Sequence, residues 1–423
     1  MSAAHRGRRR AAALAALAAL AGCGALAGCG AETTYEDVYP ILASRCNSCH
    51  VDGVSTYRPY FTDYGTVSLL ARTLRDTVTS REMPPFGMDD TTLCGGNYFA
   101  DEGLWLTDVE LQTLSDWVDD GVPAGDLDHL RSAPAYVEPE LAHVDATLDT
   151  GEPYAFSGFD PDSQHRCFVA DLAMGDATLL TGFQIAPGNR FAVQSAALYA
   201  LDSEEARAAA AALDAADGAP GYPCFGGAGV DGARFAGSWV WGRSVVRFPS
   251  GTGVQLAPAT QVVIQVHYNP QGGSLYPDED VTRVDLELTG ADSAVEARYV
   301  PLAASGFSLR PGADDAEARG YLVVDQPLTI LGVAPLMYQR GVSMVVSRVR
   351  PFSETCLARV NHWEFYNHLR LYQYLTTPPQ VFAGDELDIQ CTFDTQSRIE
   401  PTREGQDPAS EQCMARLYVV PAP

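Results

Sequence analysis

The chain has 423 residues, more than a single hydrophobic core usually fills, so two or three domains are expected. Its 27 prolines and 38 glycines are spread without a period, which favours many short strands and turns over long helices. The formal net charge of −26 argues against a nucleic-acid-binding protein, because an acidic surface repels phosphate.

Residues 1–29 have the three parts of an export signal. Arg6 and Arg8–Arg10 are basic, residues 11–21 are apolar but too few to span a membrane permanently, and small residues follow. Two Leu-Ala-Gly-Cys phrases end at Cys23 and Cys29 and resemble bacterial lipoprotein cleavage boxes. We expect lipidation at one of the two, which the sequence does not distinguish. The mature chain would then be a lipoprotein in the periplasm or on the outer membrane of a Gram-negative bacterium.

The motif Cys46-Asn47-Ser48-Cys49-His50 has the pattern of a covalent haem attachment site. Cys46 and Cys49 would form thioether bonds to one haem c, and His50 would supply an axial nitrogen to the iron. The histidine distinguishes this motif from a zinc or thiol-redox pair of cysteines. Apolar residues at helical spacing precede it, so the motif should lie at the C-terminal end of a short helix over Tyr35–Arg45.

The second axial ligand is predicted to be Met83, within Arg81-Glu82-Met83-Pro84-Pro85. A methionine thioether raises the haem potential relative to a second histidine, which suits electron transfer. The proline after it stiffens the loop and has no backbone donor. Met88 is the rival candidate, five residues further on.

Two more helices are predicted around this motif. Thr66–Glu82 has apolar residues on one face, and the capping box Thr107-Asp108-Val109-Glu110 opens a helix that Gly121 closes. Together with the first helix and the Met-Pro-Pro loop, they resemble the class I cytochrome c fold. We therefore expect a small all-α cytochrome c domain over residues 31–126, followed by a linker at 127–148.

From about Ala146 the pattern changes to short alternating segments separated by turn residues. Tyr321–Val324, Ser343–Val346 and Glu386–Gln390 are examples. This pattern is typical of antiparallel β-sandwiches. Only the alanine-rich stretch Leu201–Asp217 is predicted to be a helix of any length.

Short phrases in a fixed order also mark this C-terminal part. They are HRCFV at 165–169, LTGFQ at 180–184, VIQVHYN at 263–269, WEF at 363–365 and EQC at 411–413. In this order they resemble the copper type II, ascorbate-dependent monooxygenase family, which contains the peptidylglycine and dopamine hydroxylating enzymes. The resemblance implies tandem jelly-roll sandwiches over residues 149–292 and 293–421, with a copper in each and a cleft between them.

Most of the copper ligands that the resemblance implies are replaced. One copper of the family takes two adjacent histidines and a third from the QVHY phrase, where this chain has Gln194-Ser195 and His267. The other takes a His-x-His pair and a methionine, and these places hold Leu336, Tyr338 and Gln412. Copper is therefore not expected, because serine or leucine cannot replace imidazole or sulfur donors. His267 alone is interpreted as a hydrogen-bonded strand histidine.

Six cysteines remain outside the lipid and haem motifs, and export places them in an oxidising compartment. They allow 15 pairings and up to three disulfides. The resemblance implies a bond between Cys391 and Cys413, and we also expect Cys167 and Cys224 to be disulfide-bonded. The partners of Cys94 and Cys356 are left open.

The sequence supports the haem as the redox centre, so we expect a membrane-anchored electron-transfer protein that meets a redox partner protein. Its β-rich module would bind a partner or ligand. The alternative is a haem-coupled, copper-dependent monooxygenase, an oxidoreductase acting on paired donors with O₂ through an altered copper site. His165 lies beside Cys167, and no second set of three histidines is evident. A haem sensor is a third hypothesis.

Overall fold

A computed structural model describes residues 32–47, 49–50, 59–80, 82–85, 88, 94, 106–130, 140–156, 164–242, 245–269, 279–365, 369–374 and 377–422. The predicted export signal, with Cys23 and Cys29, lies outside the described residues. Among the described residues, no helix combines the length and the apolar character needed to cross a membrane.

Within the described residues, three α-helices precede the β-rich part of the chain. They are α1 (Tyr35–Ile41), α2 (Tyr64–Thr79) and α3 (Asp108–Asp119). Helix α1 continues into a π-helical turn at Leu42–Cys46, and a 3-10 turn follows at Leu127–His129. The apolar faces of the three helices pack together around the fully buried Trp117 side chain, so this helical unit has a hydrophobic core of its own.

Local sequence signals explain where these helices begin and end. The Asp63 carboxylate accepts from the Thr66 amide and caps α2. The helix therefore begins at Tyr64, two residues before the predicted start at Thr66. Thr107 and Glu110 form both bonds of the predicted capping box at α3. Gly121, at φ +89°, follows the C-cap of α3. A left-handed backbone is strained for other residues, so glycine suits this helix end.

Most of the remaining described chain is β-strand, which confirms the prediction of a β-rich protein. Two bodies of sheet follow one another along the chain. The strands of the first body are β1 (Ala146–Asp149), β2 (Tyr154–Ala155), β3 (His165–Asp171), β4 (Thr178–Ala186), β5 (Val193–Leu201), β6 (Tyr222–Pro223), β7 (Arg234–Val240), β8 (Val245–Arg247), β9 (Thr252–Leu256), β10 (Gln261–Tyr268), β11 (Glu279–Asp280) and β12 (Arg283–Gly290).

The second body begins after a short turn. Its strands are β13 (Val295–Ala303), β14 (Ser308–Leu309), β15 (Ala316–Val323), β16 (Leu328–Leu336), β17 (Gly341–Arg350), β18 (Ser353–Val360), β19 (Tyr372–Gln373), β20 (Gln380–Val381), β21 (Glu386–Phe393), β22 (Thr402–Arg403) and β23 (Met414–Pro421). The predicted alanine-rich helix is α4 (Glu204–Ala216), inserted between β5 and β6. Strand β1 begins inside the segment predicted as a linker, where it pairs with β12.

Each body contains two facing sheets. In the first body, β1-β12-β4-β9 faces β6-β3-β10-β5-β7, and in the second, β13-β23-β16-β19 faces β15-β21-β17-β18. Alternate residues of the strands fill the space between the sheets, as the period of two requires. On β10, for example, Ile264 and Val266 enter the core of the first body, whereas Gln265 and His267 point away from it.

One sheet is continuous through both bodies. Strand β9 of the first body pairs in parallel with β13 of the second, in register Val295 with Thr252 and Ala297 with Val254. The result is a ten-stranded sheet that includes strands of both bodies. The outer face of the five-stranded sheet then lies opposite β16 and β23, and a cavity lies between them.

Three disulfides join the described cysteines other than Cys46 and Cys49. Cys167 is bonded to Cys224 and Cys391 to Cys413, within the first and second body respectively. The third joins Cys94, which follows the Met83 loop, to Cys356 on β18. This third bond links the helical unit to the second body across 262 residues of sequence.

Candidate functional site

The helical unit contains a cavity of about 230 Å³ with mostly apolar walls. Cys46, Cys49, His50 and Met83, which the sequence singles out, all line it. Both cysteines are free thiols. The other residues that line the cavity are Arg45, Pro59, Phe61, Leu70, Thr73, Leu74, Thr77, Val78, Pro84, Pro85 and Leu106. This set of side chains fits a flat, largely apolar cofactor that is attached covalently through the two thiols.

The π-helical turn at the end of α1 positions the attachment motif. The amides of Cys49 and His50 both donate to the Cys46 carbonyl, at 3.1 and 2.9 Å, which curls the motif into one turn. The His50 Nδ1 atom lies 2.8 Å from the Pro59 carbonyl oxygen. A carbonyl only accepts, so Nδ1 carries a proton, and in the neutral imidazole Nε2 then carries the lone pair. This arrangement fixes the tautomer that a metal-ligating imidazole requires.

The structure separates the two candidate methionines. The amides of Glu82 and Met83 donate to the Thr77 carbonyl at 3.0 and 3.1 Å, which folds the loop back over the end of α2. Met83 lines the cavity and is 39% exposed. Met88 is buried in the core of the second body. Of the two, Met83 is therefore the methionine that shares a cavity with His50.

An ion pair closes one side of this cavity. The Arg45 guanidinium lies 3.0 Å from the Glu110 carboxylate, and Arg45 lines the cavity beside Cys46. Burial acts to raise the pKa of Glu110, but hydrogen bonds from Thr107 and Arg45 outweigh it and lower that pKa. Burial and the nearby Cys49 raise the pKa of the Cys46 thiol to about 12, so this thiol is neutral at pH 7.

A second cavity, of about 60 Å³, lies between the two β bodies. Strands β3, β5, β7 and β10 form one wall, and β16, β23 and the segment around Phe365 form the other. The residues that line it are His165, Ser195, Ala196, Ala197, Tyr199, Phe225, Gly226, Phe235, Ser238, Gln265, His267, Ala334, Pro335, Leu336, Tyr338, Phe365, Leu369 and Arg416. We call it the interbody cavity.

Two histidines face each other in the interbody cavity. His165 on β3 is the direct partner of His267 on β10, and their rings stack with centroids 4.0 Å apart and planes 12° apart. Burial lowers the pKa of His165 to about 4. Burial and the neighbouring His165 lower the pKa of His267 well below its usual value. Both imidazoles are therefore neutral at pH 7.

Sequence reasoning missed this pair. It treated His165 as a neighbour of Cys167 and left His267 isolated, because the pairing of β3 with β10 joins residues about a hundred positions apart. Strand alternation provides a partial signal, since it places His165 and Cys167 on one face of β3 and Gln265 and His267 on one face of β10. Alternation does not say which strands are neighbours.

Three of the positions that the resemblance aligns with replaced copper ligands line the interbody cavity together with His267, and they hold serine, leucine and tyrosine. Ser195 is the cross-strand partner of His267, and Leu336 and Tyr338 line the same cavity. Gln412 is not among the lining residues, and its amide donates to the Gly405 carbonyl at 2.7 Å. Within the described part of the chain, no group of three or more His, Cys, Asp or Glu side chains is arranged to hold a metal ion.

A buried carboxylate positions Tyr338 in this cavity. Glu411 accepts from the amides of Tyr338 and Arg340, at 2.9 and 2.8 Å. Burial raises the pKa of Glu411 to about 7 despite these bonds. Gly226, at φ +79°, lies against the Tyr338 hydroxyl so closely that a Cβ atom there would be 2.2 Å from it. A side chain at residue 226 would therefore displace the tyrosine.

Comparison with known proteins gives no family assignment: the chain matches no family model and no curated protein.

Proposed function

We propose that the chain is an exported, membrane-anchored c-type haem protein that transfers electrons. Its β-rich module, a pair of jelly-roll-like sandwiches, binds a partner or ligand. The observation that carries the proposal is the convergence of Cys46, Cys49, His50 and Met83 on one apolar cavity. These residues span 38 positions of sequence, and the attachment motif alone does not require Met83 to lie there.

Each residue of the set has a distinct role in holding the group. The thiols of Cys46 and Cys49 would attach it covalently, and His50 would present Nε2 because the Pro59 carbonyl holds Nδ1. Met83 would provide the second axial ligand. When bound, the haem supplies a one-electron redox couple, and methionine ligation gives it a higher potential than a second histidine would.

The helical unit also lies against the β bodies, which supports transfer over a fixed distance. Cys49 packs against the core of the first body and Met88 is buried in that of the second. Burial and the neighbouring Glu82 carboxylate raise the pKa of Glu364, so the Met83 loop lies close to the segment around Phe365. The attachment motif and the methionine loop thus both adjoin the β-rich module.

Substitution of each methionine tests the axial ligand, using protein exported with its haem. We expect the visible spectrum and the mass to show one covalent haem, with iron near one per chain. The reduced wild-type protein should bind carbon monoxide poorly, because both axial positions are filled. Met83→Leu should open one position and allow carbon monoxide to bind.

Met88→Leu is the matched control and should behave like the wild type. The proposal fails if no covalent haem is found. It also fails in its assignment of Met83 if Met88→Leu, rather than Met83→Leu, admits carbon monoxide.

A second candidate function is a haem-coupled copper monooxygenase, and the His165–His267 pair is the observation that favours it. Two neutral imidazoles are good copper donors. Their rings are nearly parallel, however, and the in-plane lone pairs of stacked rings do not converge on one ion. We therefore rank electron transfer first. Stoichiometric copper that is lost in His267→Ala, with oxygen uptake in the presence of ascorbate, would reverse this order.

A further inference from the structure

The interbody cavity contains a charge that the proposed haem function does not use. Among the described residues that line it, Arg416 is the one with a formal charge at pH 7, because both histidines are neutral. No aspartate or glutamate is among them. The lack of acidic neighbours is unusual for an arginine in a chain with 54 acidic and 28 basic residues.

Among the described residues, the Arg416 guanidinium has no carboxylate partner. It makes no hydrogen bond or ion pair with any described residue, and its closest ring contact is the face of Phe235, 4.3 Å from the ring centroid. A guanidinium that is partly removed from water and lacks a counter-ion attracts an anion. Stacking on Phe235 leaves the edges of the planar group available to hydrogen-bond acceptors.

Three tyrosines lie within the electrostatic influence of this guanidinium. The positive charge of Arg416 acts on Tyr199, Tyr299 and Tyr338, opposing the effect of burial on each. The hydroxyls of Tyr299 and Tyr338 are buried and have no hydrogen-bond partner among the described residues. Tyr338 is only 3% exposed and lines the cavity. Leaving a buried hydroxyl without a partner is costly, so a bound acceptor would stabilise this arrangement.

We propose that the interbody cavity binds a short-chain monocarboxylate, with its carboxylate on Arg416 and Tyr338. A planar carboxylate matches the two parallel donors of a guanidinium, and the Tyr338 hydroxyl can donate a third bond. The apolar side chains of Ala197, Leu336 and Phe365 suit a short alkyl tail. A cavity of about 60 Å³ has room for a molecule of only a few non-hydrogen atoms.

This site is independent of the haem cavity, because the two share no lining residue. It would make the β-rich module a sensor or carrier of a small organic acid. If the carboxylate site is disproved, the electron-transfer proposal is unaffected. If the electron-transfer proposal is disproved, the carboxylate site is equally unaffected.

Titration calorimetry of the full-length protein tests the proposal, at pH 7 and constant ionic strength with chloride as the background anion. Propionate is the main probe. Nitrate is a planar anion without an alkyl tail, and benzoate is a carboxylate that should be too large for the cavity. Arg416→Gln should weaken propionate binding at least tenfold. Tyr338→Phe, which removes only the hydroxyl, should weaken it about threefold or more. Arg319→Gln removes an exposed arginine elsewhere and should bind within twofold of the wild type.

The outcomes are distinguishable. Propionate binding that falls in both cavity variants, with benzoate excluded, supports the proposal. Equal propionate binding in Arg416→Gln and the wild type overturns it, as does the absence of propionate binding at millimolar concentrations. Binding of nitrate in preference to propionate overturns the assignment to carboxylates. If Arg416→Gln fails to fold, unchanged binding in Tyr338→Phe is sufficient to reject the site.

Discussion

At the scale of single residues, the buried imidazoles of His165 and His267 make the folded state sensitive to acid. Their rings are in contact, and charging either one would place a cation among aromatic side chains, with no carboxylate among the described residues that line the cavity. The unfolded chain has no such restriction. Folding therefore excludes a proton from these residues at mildly acidic pH.

The sign of the resulting pH dependence follows from the lowered pKa of His165. Between its usual value of 6.5 and about 4, the unfolded state binds a proton that the folded state does not. The contribution of His165 to stability is complete above pH 6.5 and is lost as the pH falls toward 4. We predict that His165→Phe reduces the slope of unfolding free energy against pH in this window by up to about 1.4 kcal/mol per pH unit.

Urea unfolding followed by tryptophan fluorescence at several pH values measures this slope. His143→Phe is the control, since the His143 side chain is 57% exposed. An identical slope for His165→Phe and the wild type would show that His165 titrates normally. Glu411 contributes with the opposite sign in both proteins, because its pKa is raised, and its effect cancels in the comparison.

Residue identity allowed part of the first cavity to be predicted. The attachment motif is a local pattern, and the Met-Pro-Pro phrase indicated Met83, which lines the cavity with His50. Arg416 carried no such signal, because an arginine on a strand is ordinary until its surroundings are known. What makes it informative is that the described residues lining the cavity include no acidic side chain, and this depends on how the sheets pack.

At the scale of elements, the N-terminus of α3 connects helix capping to the cavity of the helical unit. Glu110 closes the capping box with Thr107 and also pairs with Arg45, which lines the cavity. A carboxylate at this end of the helix also interacts favourably with the helix dipole. Loss of the cap would therefore loosen both the helix and this wall of the cavity.

We predict that Thr107→Ala destabilises the first turn of α3 by about 1 kcal/mol, because the Glu110 amide loses its side-chain acceptor. Amide hydrogen exchange in α3 should then become faster on the order of fivefold. Thr113→Ala, in the middle of the same helix, removes no cap and should leave exchange unchanged or slower. Equal effects of the two substitutions would contradict the role of the cap.

Helices were easier to predict than the arrangement of strands. The capping box and the apolar period placed α3 correctly, because a helix bonds to itself over four residues. Strands β17 and β21 were recognised by alternation, but their pairing joins segments far apart in sequence. Sheet order depends on such distant contacts, so the neighbours of each strand appear only in the structure.

At the scale of the whole molecule, a covalent bond fixes the helical unit to the second β body. The Cys94–Cys356 disulfide crosses between them, and Met88 is buried in the same body. The link does not depend on the main chain between residues 130 and 140. Cutting that connection should leave the two parts together.

We predict that a protease site inserted between residues 131 and 139 yields two fragments that stay joined until a reductant is added. The physical reason is that Cys94 and Cys356 lie on opposite sides of the cut. Gel electrophoresis with and without reductant measures this directly. Cys356→Ala should release the fragments without reductant. Release from the wild type under the same conditions would show that the bond does not form.

The parallel pairing of β9 with β13 has a consequence for the rate at which the interbody cavity exchanges its contents. Two β bodies that share a continuous sheet cannot swing apart about a hinge unless main-chain hydrogen bonds between these strands break. Passage in and out must then rely on movement of side chains such as Phe225 and Leu369 at the wall. A carboxylate held there would have a long residence time even at modest affinity, because a slow release rate accompanies slow access.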